Sequence, residues 1–585
     1  MHSSPIRTAR RLTTWLPTAL CAAALVASNA STSAAQEARG AGPDARTPAA
    51  GTLRVGVGAT WTRSSETYNP DGKLRPLGAR FSSDTLGPGL FRFLVPVESM
   101  ARTLTGTTDF RASLGGATVQ DRHTFETTPF TLEYGITSRF ALSAVVPLVT
   151  TASRVDVRLQ TLGGEATIGF NPSHLSASAV AQHRQLLVDF DSAAGSLSRR
   201  LTTCAAQPAG SGCATVNANA TAAQSLIAQS TAFANAFASL YGGRNGAKGA
   251  LFVPLAASAA QAAINARIAG FRAQFAAFGA YAIGAIGTIG APAPITASAF
   301  QRILTDSAYG IRAQPLGTVV RRGMGDVDLS AQFTWHDSYG RSSGTGPTTT
   351  RSWWRSTVIG TFRKGTGTAA LADALIPLGT GDHQDDLEAR SITDFGIGTR
   401  ASLTAVVRYT VQASASTTLR IADSPSAPFP EAFRSATVTR DPGDEIAFAL
   451  YPRLNLSEAM SIAGHYGYRS KGADAYSGTV TGTDGSGVVV TADARALDDG
   501  SAAREHRFGA IIAYSTVGAW QRGRARWPVE ISIAHFQTTA GSNGMIPKLA
   551  HDEVQFRWYW RPFGRVTGRI TGRITEQVTG RGAGH

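Results

Sequence analysis

Apolar residues recur at every second position in this chain, over stretches of about ten residues, which is the length of a tilted strand that crosses a bilayer. The clearest stretch is residues 553–561 (EVQFRWYWR), where valine, phenylalanine and two tryptophans alternate with polar side chains. Successive side chains of a β-strand point to opposite faces, so each stretch would have one apolar and one polar face. The alternation therefore predicts amphipathic strands of membrane-spanning length.

The alternation marks twelve such stretches, and outer-membrane barrels usually have an even number of strands. Aromatic residues such as Trp61, Trp335, Trp354 and Trp558 cluster at the strand ends, as in the interfacial girdles of lipid-facing barrels, whereas a soluble β-sandwich needs no such clustering. The fold class we predict is all-β, an antiparallel transmembrane β-barrel of about 12 strands. The predicted strands are residues 53–61, 125–136, 140–160, 327–336, 354–363, 395–409, 413–421, 445–455, 462–469, 507–514, 529–538 and 553–561.

Composition excludes two other classes of protein. Only 16% of the residues are charged, which is low for a chain of several soluble domains. The mean hydropathy of −0.05 is too low for a bundle of apolar transmembrane helices. The formal net charge is +15, and lysine occurs only at positions 73, 248, 364, 471 and 548, so the charge is mostly arginine. A basic pore or a nucleic-acid partner would account for it.

Residues 1–35 have the pattern of a signal peptide, with three arginines before an apolar stretch at residues 15–27 that is too short to span a bilayer. We predict cleavage before Gln36. Export argues against a nucleic-acid partner and places the protein in the outer membrane of a Gram-negative-type bacterium, with membrane lipid and the barrel-assembly machinery as partners. In that oxidising compartment, Cys204 and Cys213 are predicted to form a local disulfide.

The chain then divides into five parts. Residues 36–162 carry strands 1–3, residues 323–563 carry strands 4–12, and residues 564–585 form a basic tail rich in glycine, arginine and threonine. Residues 163–322 are rich in alanine, with runs at 176–201, 217–240 and 255–278 that have helical character, so they are predicted to form a mainly α-helical insertion. The insertion would lie outside the cell or fold back into the lumen as a plug.

The polar faces of the strands carry many arginines. An arginine on the lipid face of a barrel costs about 2–4 kcal/mol at the midplane, so we assign these residues to the lumen. Their role is either a basic constriction that favours anions or a network of ion pairs that stiffens the wall. The predicted lumen-lining residues are Arg54, Arg154, Asp156, Arg158, Asp328, Gln332, Arg355, Arg363, Arg408, Arg420, His465, Arg469, Glu553, Arg557 and Arg561.

Motifs of catalysis or cofactor binding are lacking in the sequence. A GxSxG match at residues 340–344 lies in a Ser/Gly/Thr linker and not between a strand and a helix, as a nucleophile elbow requires. The acidic residues of 381–388 lack the spacing of an EF-hand calcium loop. We therefore predict a protein that is not an enzyme, without catalytic residues, metal or cofactor.

Four strings resemble outer-membrane β-barrel transporters of the phenol-degradation meta-pathway type: LEYGITSRFAL from Leu132, VVPLV from Val145, GMGDVDLSAQF from Gly323 and IPLGTG from Ile376. The resemblance covers about residues 51–160 and 323–563. It implies a barrel of roughly this strand number that moves small, often hydrophobic or aromatic, solutes across the outer membrane. The helical insertion and the C-terminal extension depart from the family pattern.

The sequence thus predicts an outer-membrane barrel that conducts or transports a small-molecule solute, either hydrophobic and aromatic or anionic. The alternative is a closed barrel that anchors a surface-exposed helical binding or adhesion domain. Both readings leave the oligomeric state open.

Overall fold

The structure of the protein is a computed structural model, and it describes residues 42–161, 165–285, 287–338, 352–398, 400–424, 427–521 and 523–561. The predicted signal peptide, Phe563 and the basic tail lie outside these residues.

Twelve long strands form a closed antiparallel wall in the described part of the chain, which confirms the predicted fold class. Each strand pairs with the next along the chain, and the first pairs with the last, from Leu53↔Trp560 to Arg63↔Ala550. The strands are β1 Leu53–Ser64, β2 Gly116–Gly135, β3 Phe140–Gln160, β4 Val327–Asp337, β5 Ser352–Lys364, β6 Asp386–Ile397, β7 Ala401–Gln412, β8 Glu445–Asn455, β9 Met460–Lys471, β10 Ala503–Ser515, β11 Val529–Ser542 and β12 Ala550–Trp560.

Side chains alternate along each strand between a buried inner face and an apolar outer face. In β4, Asp328, Ser330 and Gln332 are buried, whereas Leu329 and Phe333 are 52% and 46% exposed. A surface of exposed large apolar side chains is unfavourable in water, so lipid must surround this surface. The protein is a transmembrane β-barrel of the outer-membrane kind.

The connections at the two ends of the barrel differ in length. Residues 136–139, 398–400 and 456–459 are tight turns at one end of the barrel, where β4 ends, β5 begins and β10 is linked to β11 by residues 516–528. Residues 65–115, 161–326, 365–385, 413–444, 472–502 and 543–549 lie at the other end. Outer-membrane barrels have short periplasmic turns and long external loops, so the second end faces the outside of the cell.

Two of the twelve predicted strands are wrong, and their errors cancel in the count. Residues 395–409 form parts of β6 and β7 around the tight turn at 398–400, and not one strand. Residues 413–421 hold a short strand, Ala415–Arg420, which pairs with Ser435–Asp441 in an external loop and is not part of the wall.

The external loops and the insertion form a helical cap at the outer end. Its α-helices are α1 Leu94–Thr105, α2 Pro172–Leu175, α3 Ala177–Ala206, α4 Cys213–Ala218, α5 Ala220–Tyr241, α6 Ala259–Ala277 and α7 Ala297–Thr305, while α8 Val517–Gln521 lies at the inner end. One apolar cluster joins the cap to the loops: Phe91 and Leu94 of the first loop pack with Phe237 and Phe300 of the insertion and with Phe429 of a later loop. The cap is therefore continuous with the loops.

Short elements complete the external end. The 3-10 helices are Leu77–Phe81, Arg244–Gly246, Ser307–Tyr309, Ala432–Arg434 and Ala494–Leu497, and the small strands include Glu66–Tyr68, Leu74–Pro76, Ile168–Phe170, Phe252–Pro254, Ala475–Ser477, Thr479–Thr483, Val489–Asp493 and Ile546–Pro547. The predicted disulfide is confirmed, since Cys204 and Cys213 are bonded and link the end of α3 to the start of α4. No helix in the described part of the chain is both long and apolar enough to span a membrane.

The β2–β3 hairpin is longer than a bilayer requires. Its strands have 20 and 21 residues, whereas about 9–11 suffice to cross. The outer half of β3 pairs with the strand Val319–Met324 instead of β4. On the inward side of this extension, Val119 and Val155 pack against the cap. The hairpin thus continues the wall above the membrane as one side of the cap.

We expect Ile533→Arg to destabilise the folded barrel in lipid vesicles by about 2–4 kcal/mol, because Ile533 is on the lipid face of β11 and is 59% exposed. Val320→Arg is the matched control: Val320 is 50% exposed on the outward side of the hairpin extension, where water is available. Urea unfolding in vesicles measures both free energies. Equal losses would contradict the assigned upper limit of the lipid-facing band.

Candidate functional site

The chain segment before β1 lies inside the barrel at its inner end. Ala45 is completely buried. Its amide N–H donates to Asp394 Oδ2 at 2.9 Å, and its carbonyl oxygen accepts from the Thr357 hydroxyl at 2.6 Å. We call residues 42–48 the N-terminal plug. A segment that precedes β1 thus occupies the lumen at this end of the barrel.

An apolar layer surrounds the plug at the middle of the lumen. It is a single cluster of buried side chains from seven wall strands, and Ala45 belongs to it. Gly42 lies against the same layer, because a Cβ at this position would be 3.2 Å from Ile511 and 3.3 Å from Tyr451. The other members of the layer are Ile359, Ile392, Val406, Ala449, Ala463, Ala534 and Phe536.

Charged side chains lie between this layer and the inner end of the barrel. Arg54 Nε donates to Glu133 Oε2 at 2.9 Å, and Glu133 also accepts from Gln332. Glu530 accepts from the Tyr559 hydroxyl at 2.6 Å and lies 3.7 Å from Arg557 Nη1. Side chains at the inner ends of β1, β2, β11 and β12 therefore form an inner charged layer, in which arginines face carboxylates.

The plug contributes to this inner layer. Arg46 forms an ion pair with Asp44 of the plug itself at 2.9 Å and lies 3.8 Å from Glu530 of the wall. The plug is thus attached to the wall by two hydrogen bonds at Ala45, by the Thr47 hydroxyl, which donates to the carbonyl oxygen of Ser138 at 3.1 Å, and by this looser charge contact.

A second charged layer lies on the outer side of the apolar layer. Arg363 Nε donates to Asp328 Oδ1 at 2.9 Å and its Nη1 lies 3.4 Å from Asp386. Arg390 Nε donates to Glu388 at 2.8 Å. Since each of these guanidinium groups faces at least one carboxylate, the layer carries little net charge.

Arg469 is the centre of this outer charged layer. Its Nη2 donates to Glu445 Oε2 at 3.1 Å and its Nη1 to Glu505 Oε2 at 3.2 Å. Arg507 Nε donates to the other oxygen of Glu505 at 2.8 Å. The arrangement ties β8, β9 and β10 together across the lumen-facing side of the wall.

Most of the predicted lumen residues do point inward. Arg355 pairs with Asp337 at 2.9 Å, and His465 is buried between the Tyr451 and Phe536 rings, with centroid distances of 4.7 and 4.9 Å. The inward residues from the predicted set are Arg54, Asp328, Gln332, Arg355, Arg363, Arg408, His465, Arg469, Glu553 and Arg557. Their contacts favour the wall-stiffening network over an anion-selective constriction.

Three predicted lumen residues point the opposite way. In β3 the odd-numbered positions such as Thr151 and Ser153 are buried, so Arg154, Asp156 and Arg158 are exposed on the outward face. They were assigned to the lumen because an arginine in lipid is costly, but these residues lie above the bilayer on the hairpin extension, where that cost does not apply.

Two further predicted residues lie outside the lumen. Arg420 belongs to an external strand and donates to the carbonyl oxygens of Ile311 and Pro430 at 2.6 and 2.9 Å. Arg561 follows the end of β12 and is exposed, with its guanidinium 5.4 Å from the centre of the Trp520 ring. Arg420 therefore fastens the loops to the insertion, and Arg561 lies at the inner rim.

Sequence reasoning missed several inward residues. The plug has no periodic pattern, so nothing in residues 42–48 marks it. Asp386, Glu388, Arg390 and Asp394 alternate with less polar residues in β6, but they lie outside the twelve predicted strands. Its alternation at every second position was the signal that could have identified it.

An external carboxyl group holds loop 365–385 against the end of β4. Asp326 Oδ1 accepts from the Gly367 amide at 2.8 Å, while its Oδ2 is buried with no hydrogen-bond partner in the described part of the chain. A Cβ on Gly381 would be 2.5 Å from both oxygens, so only glycine fits there. The pKa of Asp326 is raised to about 6, mainly by burial and also by the charge of Asp382, although the hydrogen bond from the Gly367 amide lowers it.

The residues that the structure describes include no group of three or more histidine, cysteine or carboxylate side chains that could hold a metal ion. Among the acidic residues of 381–388, Asp385 accepts from Lys364 at 2.7 Å and Asp386 lies 3.4 Å from Arg363. His336, on β4, stacks on the Trp354 ring with the ring centres 3.7 Å apart.

Comparisons with known proteins give structural likeness only. No family model matches the sequence, and no curated protein matches it. Among solved structures, the COG4313 outer membrane channel from Pseudomonas putida F1 has 9% identity and a TM-score of 0.38, covering 88% of this chain and 98% of that one. The Ralstonia pickettii toluene transporter TbuX has 8% identity and a TM-score of 0.25, covering 86% and 89%. At these scores the likeness has no weight for function.

We expect Arg469→Gln to destabilise the barrel by about 3–5 kcal/mol, because Glu445 and Glu505 would remain buried without their common partner. Arg355→Gln is the control, since its partner Asp337 is 30% exposed and water can solvate it. Urea unfolding in vesicles measures both. A loss below 1 kcal/mol for Arg469→Gln would show that the network does not stiffen the wall.

The contact of loop 365–385 should depend on pH. Because the folded pKa of Asp326 is above its usual value, the neutral form favours the folded contact, and this stabilisation is lost as pH rises through about 6. We expect the protection of the Gly367 amide from hydrogen exchange to fall several-fold between pH 5 and 7, after correction for intrinsic rates.

Asp326→Asn should remove this pH dependence. Asp385→Asn, in the same loop, should retain it, because the hydrogen bond from Lys364 lowers the pKa of Asp385 and keeps that carboxylate ionised throughout this range. Protection that is independent of pH in the unmodified protein would refute the role of Asp326.

Proposed function

We propose that the protein is a gated outer-membrane channel for small hydrophobic solutes, with the N-terminal plug as its gate. The observation that carries this proposal is the apolar layer, in which Ala45 of the plug packs among buried aliphatic and aromatic side chains from around the wall. The outer membrane lipid surrounds the wall, and the barrel-assembly machinery would insert it there.

The apolar layer disfavours hydrophilic cargo. Channels for polar solutes have polar, water-filled interiors, and a hydrophobic constriction excludes water and hydrated ions. A small apolar or aromatic solute would lose little free energy in passing Ile511, Phe536 and Ala45, since it exchanges water for apolar contacts. The layer therefore selects against the anionic solutes that were the other predicted class.

The charge distribution supports the same choice. An anion channel needs arginines whose field is not neutralised, as in the charged rings of selective pores. Arg54, Arg363 and Arg469 each lie against at least one carboxylate. The lumen arginines accordingly act in the wall, and solute selection falls to the apolar layer.

The plug has the properties of a movable element. It precedes β1 and takes no part in the wall ladder. Ala45 is hydrogen-bonded to Asp394 and Thr357, Arg46 approaches Glu530, and Thr47 donates to the carbonyl oxygen of Ser138. Such a segment can leave the lumen without breaking a strand pair, so the wall stays closed when the plug moves.

One observation favours the alternative function, a closed barrel that anchors a surface-exposed helical binding domain. The cap has a large apolar core of its own and a disulfide, and it covers the outer end of the barrel. Deleting the insertion would not separate the two functions cleanly, because Phe91 and Phe429 of the loops belong to the same core.

Substitutions in the plug separate the two functions without touching the cap. Ala45→Asp would place an unpaired charge in the apolar layer, which is costly enough to expel the plug. We expect ion conductance in planar bilayers to rise several-fold. Ala50→Asp is the matched control, because Ala50 is exposed just outside the lumen and its conductance should not change.

Uptake of a labelled monoaromatic solute such as toluene by cells should rise with expression of the unmodified protein and rise further with Ala45→Asp. Heat-dependent migration on gels confirms that each variant is folded. Unchanged conductance and uptake in the Ala45→Asp protein would contradict the gated channel and favour the anchoring function.

A further inference from the structure

We propose that the outward face of the β2–β3 hairpin extension binds the phosphate groups of the glycolipid that forms the outer leaflet of the membrane. The binding side chains are Arg122, Arg154 and Arg322, which we call the arginine patch. Nothing in the transport proposal depends on this patch, because it lies on the outside of the wall.

The arginine patch begins directly above the lipid-facing band. Strand register places Leu148 opposite Met324, and these side chains are 51% and 43% exposed at the upper edge of the apolar surface. Two residues further along the strands, Arg322 lies opposite Thr150. This row also contains Trp61, opposite Glu126, and tryptophan is typical of the membrane interface.

Arg122 and Arg154 lie higher on the same face. They are direct partners across the β2–β3 ladder, and both are exposed. Like charges directly opposite each other destabilise a strand pair, since their Cβ atoms are only about 5 Å apart. Neither arginine forms an ion pair with a residue that the structure describes. An anion between them would remove the repulsion.

The anions at this height are the phosphates of the outer-leaflet glycolipid. Guanidinium groups bind phosphate through two parallel hydrogen bonds, which makes arginine better suited than lysine. Arg322 is about 13 Å along the strand direction from Arg154, at 3.3 Å per residue. A diphosphorylated headgroup lying against the wall could therefore contact both ends of the patch.

The rest of the outward wall offers no second patch of this kind among the described residues. Arg63 is paired with Asp552 at 2.7 Å, Lys364 with Asp385 at 2.7 Å and Arg158 with Asp156 at 3.3 Å. Arg504 is exposed on β10, four strands away from β2 around the wall. The three arginines of the patch thus outnumber the exposed carboxylate in the same rows, Glu126, which lies opposite Thr150 in the row of Arg322.

The test is binding of diphosphoryl lipid A to the full-length protein in neutral detergent micelles, measured by native mass spectrometry. We expect the triple variant Arg122→Gln, Arg154→Gln, Arg322→Gln to bind at least tenfold more weakly than the unmodified protein. Arg504→Gln should bind normally, and the triple lysine variant should bind with intermediate affinity. Conductance of the triple glutamine variant should not change.

Three results would overturn the proposal: equal binding by the triple glutamine variant, equal binding of dephosphorylated lipid A by the unmodified protein, or displacement of lipid A by inorganic phosphate at equal concentration. The last would identify a site for free phosphate. If the triple variant does not show the heat-dependent migration of a folded barrel, Arg154→Gln alone replaces it, with an expected loss of at least threefold.

Discussion

Every backbone amide and carbonyl group in the lipid must find its hydrogen bond within the protein, and the rest of this structure depends on that constraint. The pairing of β1 with β12 meets it, because it leaves the wall without an open edge. Closure then fixes the direction of each side chain. Apolar residues face lipid, and polar residues are enclosed in a narrow lumen, where buried charges such as Arg54 and Arg469 must be paired. The apolar layer around Ala45 interrupts this polar interior, and the plug fills it.

Much of the wall could be predicted because alternation at every second position follows directly from closure in lipid. The same pattern also misled at one turn. Phe395, Ile397, Ala401 and Leu403 all face outward, so the alternation continues through the turn at 398–400 and gives no sign that the chain reverses there. The external strand Ala415–Arg420 alternates as well, although it packs in a loop. Periodicity identifies strands but does not say which of them belong to the wall.

The interior was less accessible to prediction. The cost of placing a charge in lipid was the reason for assigning arginines to the lumen. That reason is valid for Arg363, whose strand spans the membrane, but not for Arg154, because the strand of Arg154 continues beyond the membrane. The sequence does not indicate where the bilayer ends along a strand of 21 residues. The position of the plug depends on contacts between Ala45 and Asp394, 349 residues apart, which no local pattern encodes.

The unequal ends of the barrel have a consequence for how such a chain can change over time. The turns at 398–400 and 456–459 are as short as the strand pairs they connect allow. One inserted residue there would shift a strand by one position in the ladder and turn its apolar face inward. The loops at the other end meet in a shared cap and have no register to maintain. New sequence is therefore accommodated most easily at the external end, and the insertion of residues 161–326 is an example of such growth. The external surface can therefore diversify in sequence, while the strand register of the barrel wall beneath it is constrained by geometry.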